Sequence, residues 1–278
     1  MIYLLLAIIS SAMVSVIMRL SSEKVSGNVS MLAVNYLMCL AMACAYTGGD
    51  QLLPRGPGAP AAVFMGVVNG FFYLAGFLLL QSGVKKYGVV LSSVFMKLGL
   101  LVPIVVSVTV FGEKPELQQA VGFGLAVAAI VLINYRQDGT EMRFRAGLLL
   151  LLLAGGSGDA MSKVFEELGD PALSEQFLLY TFAAALVLCA ALMLWRRQRP
   201  DVWEVLFGLL IGVPNYFSAR FLLRSLETLP AVIAYPTFSV GTILVITAAG
   251  LCLFRERLSR RQWAAVAMIL LALALLNV

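Results

Sequence analysis

Four ionisable side chains lie within long apolar stretches of this sequence, where charge is rare: Lys97, Asp159, Lys163 and Arg220. Inside hydrocarbon such a side chain costs roughly 2.5 to 3.5 kcal/mol on insertion scales, so it is expected to face a cavity or a partner. The chemistry available to these residues is recognition of charge. The cations suit a carboxylate or phosphate, and the aspartate suits an amine.

The depths of these residues suggest how they combine. At 1.5 Å per residue from the start of each run, Asp159 and Arg220 both lie roughly 20 to 22 Å in, while Lys97 lies roughly 12 Å and Lys163 roughly 26 Å in. Asp159 and Arg220 therefore form either a salt bridge that only joins two helices or part of a substrate site. In the second interpretation Arg220 supplies a bidentate fork and Lys97 a point charge, and Asp159 holds Arg220 or binds the amine of a zwitterion. We then expect an electropositive cavity.

Amide and phenol side chains recur in the same apolar runs and predict a mixed lining for this cavity: Asn69, Tyr73, Asn215, Tyr216 and Tyr235. A kink at Pro214 would turn Asn215 and Tyr216 towards the cavity, one turn before Arg220. The alternative is that these side chains are packing or interface anchors. The run Gly155-Gly-Ser-Gly158 predicts close helix approach or, alternatively, an unwound backbone that faces substrate.

Other kinds of site find little support in the sequence. All cysteines fall inside apolar runs, which indicates core packing: Cys39, Cys44, Cys189 and Cys252. Histidine is absent, so the commonest metal ligand is missing and proton coupling would need a carboxylate. Neither a nucleophile–base pair nor a GxxxxGK[ST] loop is present. We therefore expect no enzyme activity, no cofactor and no bound metal.

The composition indicates what carries these residues. Of the 278 residues, 61% are hydrophobic and 13% charged, and the mean hydropathy is +0.93. These values are typical of an integral membrane protein and leave no room for a separate soluble domain. The net charge of +5 is then a property of the loops, and we do not expect a nucleic-acid partner.

The stretch from Tyr73 to Asn134 occurs twice. A shift of 143 positions (216 minus 73) without a gap aligns Tyr73 with Tyr216, and it aligns further pairs: Phe95 with Phe238, Phe111 with Phe254, Glu113 with Glu256, Gln119 with Gln262, and Asn134 with Asn277. Each copy holds a turn that ends in Glu113 or Glu256. We expect each carboxylate to accept hydrogen bonds from the N–H groups that open the following helix, with a gate or proton site as the alternative.

The apolar runs predict an all-α polytopic membrane protein of ten transmembrane helices: about Ile2–Met18, Val29–Tyr46, Ala61–Gln81, Val89–Phe111, Gln118–Asn134, Ala146–Phe165, Gln176–Leu194, Val205–Leu226, Val232–Phe254 and Trp263–Asn277. They form a first five-helix repeat, 1–134, a linker, 135–145, and a second repeat, 146–278. Because five is odd, the second repeat enters the membrane from the opposite side, which gives inverted repeats. Such an architecture usually serves alternating access.

Loop charge predicts the orientation. Lys and Arg concentrate in the loops that follow odd-numbered spans, such as Arg19, Lys85 and Arg255. The positive-inside rule then places these loops in the cytoplasm and both termini outside. A bacterial-type plasma (inner) membrane is the expected location.

The repeated turns, Phe111-Gly-Glu113 and Phe254-Arg-Glu256, with Gln119 and Gln262 opening the next span, resemble the EamA branch of the drug/metabolite transporter superfamily. The resemblance covers essentially the whole chain. It implies ten helices around a cavity lined by spans one, three, four, six, eight and nine, and export or exchange of small metabolites. Members commonly have both termini in the cytoplasm, which conflicts with the loop charges here.

Together these features predict a secondary transporter, an exporter or exchanger of a small polar metabolite such as an amino acid or organic anion. A subunit that moves a lipid-linked sugar, of the flippase type, is the alternative, and a membrane enzyme is a distant third. The expected partners are the substrate and the lipid bilayer, with the protein a monomer or homodimer. Uptake of a soluble metabolite by liposomes, against scrambling of a lipid, separates the first two.

Overall fold

A computed structural model describes residues 2–25, 28–47, 52, 56, 58–110, 117–134, 146–226, 228–229 and 231–275. The described residues form eleven α-helices and contain no strand. The helices are α1 (Ile2–Ser21), α2 (Asn28–Thr47), α3 (Ala59–Tyr87), α4 (Val89–Lys97), α5 (Leu101–Thr109), α6 (Leu117–Asn134), α7 (Ala146–Leu168), α8 (Ser174–Trp195), α9 (Val202–Leu226), α10 (Ala231–Cys252) and α11 (Arg260–Leu275). The linker 135–145 and Glu113 lie outside the described residues.

Membrane-spanning length and apolar character combine in six stretches: Ile2–Ser21, Val29–Thr47, Ala59–Tyr87, Ala146–Phe165, Pro171–Trp195 and Val202–Ser225. Two shorter apolar stretches are Val89–Pro103 and Thr237–Cys252. Their backbone polar groups are satisfied within the helices, as a bilayer requires. The all-helical, multi-pass membrane class that the sequence predicts is therefore confirmed.

The predicted fourth span is interrupted. The sequence predicts one run over Val89–Phe111, whereas the chain forms α4, a 3₁₀ turn at Leu98–Leu100 and then α5. Pro103 offers a physical reason, because it has no N–H to donate to the carbonyl of Gly99 one turn earlier. Lys97 consequently lies at the last residue of α4, where the C-terminal end of the helix dipole favours a cation.

The bundle is held together largely by contacts between helices of residues 1–134 and helices of residues 146–278. α2 packs on α8 and α9, α3 packs on α7 and α8, α1 packs on α9 and α10, and α6 packs on α11. The largest fully buried side chains at these contacts include Tyr36, Phe95, Phe177, Phe182 and Tyr216. Many large apolar side chains remain exposed on the outside, as expected of a surface that contacts lipid.

Several helix ends meet at one face of the bundle, which we call the basic face. There the Lys85 Nζ donates to the Val25 carbonyl at 3.0 Å, and the Lys24 Nζ lies 4.4 Å from the centre of the Trp203 ring. Arg19, at the end of α1, lies beside Glu256, just after α10, with Nε 3.9 Å from Oε1. The ends of α1, α3 and α10 and the starts of α4 and α9 therefore share this face.

Glu256 caps a helix, but a different one from the helix that the sequence predicts. The following helix, α11, is capped by its own residues: Ser259 N–H donates to Gln262 Oε1 at 2.7 Å, and Gln262 N–H donates to Ser259 Oγ at 3.3 Å. This is a capping box. Glu256 instead accepts from the first N–H groups of α4, so the prediction that it caps α11 is wrong.

Candidate functional site

A cavity of about 120 Å³ lies at the centre of the bundle. Its walls come from α1, α3, α4, α7, α9 and α10, which are the counterparts of the six spans that the family resemblance implies. Most of the lining is apolar. Its polar side chains are Ser11, Ser15, Tyr73, Ser93, Lys97, Asp159, Asn215 and Ser218.

Lys97 reaches the cavity from the last residue of α4. Its Nζ lies 3.9 Å from the centre of the Phe238 ring on α10, which is a cation–π contact. Among the residues that the structure describes, no carboxylate forms an ion pair with it. The ammonium is therefore stabilised by a ring face and has no contacting carboxylate among these residues.

Asp159 reaches the same cavity from α7, in the other half of the chain. Within the described part of the chain it forms no ion pair or hydrogen bond, including none with Lys97. Gly155 and Gly158 precede it on the cavity-facing side of α7 and carry no side chain that could shield it. The cavity thus contains one cation and one anion that are not paired with each other.

The glycine run on α7 serves packing. α7 is continuous from Ala146 to Leu168, so the unwound backbone that the sequence left open as an alternative is not observed. A Cβ at Gly156 would overlap the backbone of Gly99, just after α4, which shows how closely the two helices approach. A Cβ at Gly158, by contrast, would make ordinary contacts of 3.6 Å with Asn69 Oδ1 and the Tyr73 ring.

Tyr73 and Asn69 lie one turn apart on α3 and differ in whether they line the cavity. Tyr73 lines the cavity, and its ring meets the edge of Phe182 at a centroid distance of 5.9 Å. Asn69 is fully buried behind it and donates through Nδ2 to Thr181 Oγ1 at 3.3 Å. Thr181 uses its own proton on the Phe177 carbonyl. Asn69 is not among the residues that line the cavity.

Asn215 lines the cavity from α9, and its amide is held from behind. Nδ2 donates to Asn35 Oδ1 on α2 at 3.2 Å, and it also lies 3.4 Å from Cys39 Sγ. The Cys39 thiol donates to the Gly212 carbonyl at 3.3 Å. Asn35 and Cys39 therefore orient Asn215, a role that the sequence analysis did not assign to either residue. A polar residue inside an apolar run was the available signal for Asn35.

Tyr216 and Arg220 are oriented away from the cavity. On α9 the cavity-lining residues are Asn215, Ser218, Ala219 and Leu222, and Tyr216 and Arg220 are one turn apart on another face. Arg220 lies 3.3 Å from Glu175 Oε1 on α8 and donates to the Tyr216 hydroxyl at 2.8 Å. The prediction that Asp159 holds Arg220 is therefore wrong in its partner, because Glu175 takes that place.

The Arg220 side chain is further covered by Tyr46 of α2, whose ring centre lies 3.9 Å from the guanidinium carbon. Glu175 and Tyr46 escaped the sequence analysis because both lie near helix ends, where a carboxylate and a tyrosine are ordinary residues. With Arg220 elsewhere, the charged residues of the described lining are Lys97 and Asp159. The excess of positive charge that the sequence predicts for the cavity is thus not found in this lining.

Two candidate residues from the sequence, Lys163 and Tyr235, are not among the described residues that line the cavity. Lys163 pairs with Glu167 one turn later on α7, at 2.7 Å, and both side chains are partly exposed, consistent with a position near a span end. Tyr235 belongs to α10, but its side chain lies outside the described residues. No group of three or more metal-ligating side chains occurs in the described part of the chain.

One family model matches both halves of the chain. The profile of the EamA-like transporter family matches residues 1–135 and again residues 145–278. An uncharacterized protein of Haemophilus influenzae is 23% identical over 273 residues, which cover 94% of this chain and 92% of that protein. The probable 4-amino-4-deoxy-L-arabinose-phosphoundecaprenol flippase subunit ArnE of Photorhabdus laumondii is 34% identical over 102 residues, 36% of this chain and 88% of that protein. A solved structure, titled "Crystal structure of protein", superposes with a TM-score of 0.60 at 16% identity, covering 99% of this chain and 94% of that one.

Proposed function

Because the chain belongs to the EamA-like transporter family, we propose that it is a secondary transporter of a small zwitterionic metabolite, such as an amino acid with a short side chain. The substrate would bind in the central cavity during alternating access. Export or exchange across a bacterial inner membrane is the expected role, and the relatives described above come from bacteria.

The observation that carries this proposal is a lysine and an aspartate in one cavity that attract each other without forming a contact ion pair. Lys97 and Asp159 both line it, on α4 and α7, and do not pair with each other. A buried charge whose opposite charge lies beyond contact is only partly compensated, so each of the two favours a ligand group of opposite sign. A molecule that carries both a carboxylate and an ammonium satisfies both at once.

The neutral polar lining fits the same substrate. Ser11, Ser15, Ser93 and Ser218 offer hydroxyl groups, and Asn215 offers an amide whose orientation Asn35 fixes. A few placed polar groups in a mainly apolar wall are typical of a small-molecule site. Tyr73 and Phe238 supply apolar surface for a short side chain.

Cavity size favours a small substrate. An engineered cavity of about 150 Å³ binds benzene, and the volume here is about 120 Å³. In this conformation the cavity suits a ligand no bulkier than a small amino acid.

The alternative, a subunit that moves a lipid-linked sugar, has one observation in its favour. The likeness to ArnE is 34%, although it spans 36% of this chain. The opposite charges in the cavity support the soluble zwitterion over this alternative.

Alternating access requires two halves that can exchange roles, and we propose that residues 1–134 and 146–278 are inverted five-helix repeats joined by 135–145. The family profile matches each half separately. Packing partners also correspond: α1 with α9 is matched by α7 with α3, and α2 with α9 is matched by α8 with α3. If α4 and α5 form one interrupted span, ten spans result.

A ligand-stabilisation screen tests the proposal. Purified protein is heated with amino acids of increasing side-chain length, with the corresponding amines and carboxylic acids as matched single-charge controls. Because a ligand that binds the native state raises the melting temperature as RT ln(1 + [L]/Kd), we expect a rise with short amino acids and a smaller one with either control. Scrambling of a labelled lipid in liposomes, with no stabilisation by any amino acid, would support the flippase alternative instead.

A further inference from the structure

One carboxylate at the basic face joins the two halves of the chain. Glu256, just after α10, accepts hydrogen bonds from the first two N–H groups of α4: Val89 N–H donates to Oε1 at 2.7 Å, and Val90 N–H donates to Oε2 at 3.2 Å. Both oxygens of the carboxylate are thus engaged by the backbone of the other half. A negative charge at this position also meets the positive end of the α4 dipole.

The backbone conformations at Arg255 and at Gly88 both allow this contact. Arg255 has a φ of 50°, which is uncommon for a residue other than glycine. The turn returns the Glu256 N–H to the Gly250 carbonyl at 3.0 Å, so the side chain is directed at α4. Gly88, the residue between α3 and α4, has a φ of 87°, and a Cβ there would lie 2.9 Å from Glu256 Oε1.

A third helix end completes the cluster. Arg19, near the end of α1, approaches Glu256 Oε1 at 3.9 Å, and its guanidinium carbon lies 5.7 Å from the centre of the Phe254 ring. The ends of α1 and α10 and the start of α4 therefore meet at one carboxylate. Separating these ends at the basic face would require breaking both backbone hydrogen bonds to Glu256.

The contact between Glu256 and α4 is connected to the cavity through Lys97. α4 begins at the Glu256 carboxylate and ends at Lys97, in the cavity wall. We propose that Glu256 is a positioning residue: it holds α4, and with it Lys97, in place across the two halves, and it keeps the cavity closed towards the basic face. This rests on the proposed alternating access, in which that face must open once per cycle.

Thiol labelling tests the proposal. Ser93 faces the cavity one turn after the start of α4 and is almost fully buried. In protein whose four cysteines are replaced by alanine, Ser93→Cys reports opening through its rate of reaction with a membrane-impermeant maleimide. The reagent is added to one face of sealed vesicles and, separately, to the other.

Removing the charge of Glu256 should open the basic face. We expect Glu256→Gln to raise the labelling rate from that face by about threefold or more, as losing a helix cap predicts, with no rise from the opposite face. Ser259→Ala is the matched control, because it removes a cap in the same turn that stays within one half of the chain. An unchanged rate in Glu256→Gln, or an equal rise in Ser259→Ala, would overturn the proposal.

Arg19→Gln provides a second test of the proposal in case the Glu256→Gln protein does not fold. It weakens the cluster but leaves both backbone hydrogen bonds to Glu256, so we expect a smaller rise from the basic face. No rise in Arg19→Gln, where Glu256→Gln cannot be measured, would also count against the proposal. Because labelling needs no substrate, its outcome is separable from that of the ligand screen: a wrong substrate class leaves the effect of Glu256→Gln unchanged.

Discussion

Two sets of opposite charges in the described helices, Arg220 with Glu175 and Lys97 with Asp159, differ in how completely the protein satisfies them. Arg220 has an ion pair with Glu175, a hydrogen bond to Tyr216 and the face of Tyr46. Lys97 and Asp159 share a cavity without pairing, and Lys97 has a ring face as its described partner. The first set is complete without a ligand, and the second is not.

This difference separates a structural charge from one available for binding. A charge held by a partner, a hydroxyl and a ring has already recovered the free energy that desolvation removed, so exchanging its partner for a ligand gains little. A charge whose opposite charge lies beyond contact gains more from a ligand group that contacts it. We therefore propose that Arg220 serves stability and that Lys97 and Asp159 serve binding, and four predictions test this assignment.

The largest effect is expected at the cavity charges. Lys97→Met and Asp159→Asn should each weaken binding of the stabilising amino acid by about 10- to 150-fold, since hydrogen bonds to charged groups contribute about 1.5 to 3 kcal/mol. Without ligand the melting temperature should fall in each variant, because the substitution removes the opposite charge that acts on the one left in the cavity. Thermal shift against ligand concentration measures both quantities.

Matched controls for these variants lie on α7. Lys163→Met and Glu167→Gln alter the exposed pair that does not line the cavity, and we expect affinity to change by less than about twofold. If Lys97→Met and Asp159→Asn bind as the wild type does, the assignment of these charges to binding is wrong.

The next effect is a loss of stability at the other charge pair. Arg220→Met leaves Glu175 partly buried and unpaired, and we expect the free energy of unfolding to fall by about 1 to 3 kcal/mol, less than for a fully buried pair. Affinity for the amino acid should remain within about twofold, because Arg220 does not line the cavity. Arg220→Met with Glu175→Gln should recover part of the loss. A well-folded Arg220→Met that no longer binds would instead support the substrate-binding role that the sequence predicts.

A smaller effect is expected from filling the cavity. The added methyl of Gly158→Ala meets neighbours at ordinary distances, so the fold should persist. Affinity for amino acids with longer side chains should fall by about tenfold, as expected when a methylene no longer fits, while glycine should bind nearly as before. Gly124→Ala, where no described atom outside the glycine's own stretch of helix lies within 4 Å of the added Cβ, should leave both affinities unchanged.

The smallest effect concerns the ring that covers Arg220. Tyr46→Leu removes the cation–π contact, and we expect the free energy of unfolding to fall by about 0.5 to 1 kcal/mol. Tyr46→Phe keeps a ring face and should retain most of that stability. Equal losses in the two variants would mean that the hydroxyl, and not the ring, stabilises this part of the protein.

The sequence predicts the fold class and part of the site for clear physical reasons. Apolar runs of spanning length leave helices as the available structure in a bilayer. The cost of burying charge points to Lys97 and Asp159, which the structure brings to one cavity. Tyr73 and Asn215, polar groups in apolar runs, also line it.

The errors share one cause, which is that sequence position gives depth along a helix but not direction around it. Asp159 and Arg220 have similar depths, yet Arg220 points to α8, and successive residues differ by about 100° around the axis. The helix that Glu256 caps could not be predicted for a similar reason. The nearest helix start in the sequence is that of α11, whereas packing of the halves brings the start of α4 to Glu256. Neither direction could be deduced without the tertiary structure.

Gly88 has a mechanical consequence beyond its fit against Glu256. α3 ends at Tyr87 and α4 begins at Val89, so a single residue with a φ of 87° and ψ of 165° connects two helices. The two torsions of that residue would act as a hinge: rotation about them would turn α4 about the end of α3 without sliding it along α3. Since α4 rises about 12 Å from Val89 to Lys97, a rotation of about 20° would move Lys97 by about 4 Å. The end of α4 that faces the cavity would therefore travel farthest, while its first turn stays near the hinge.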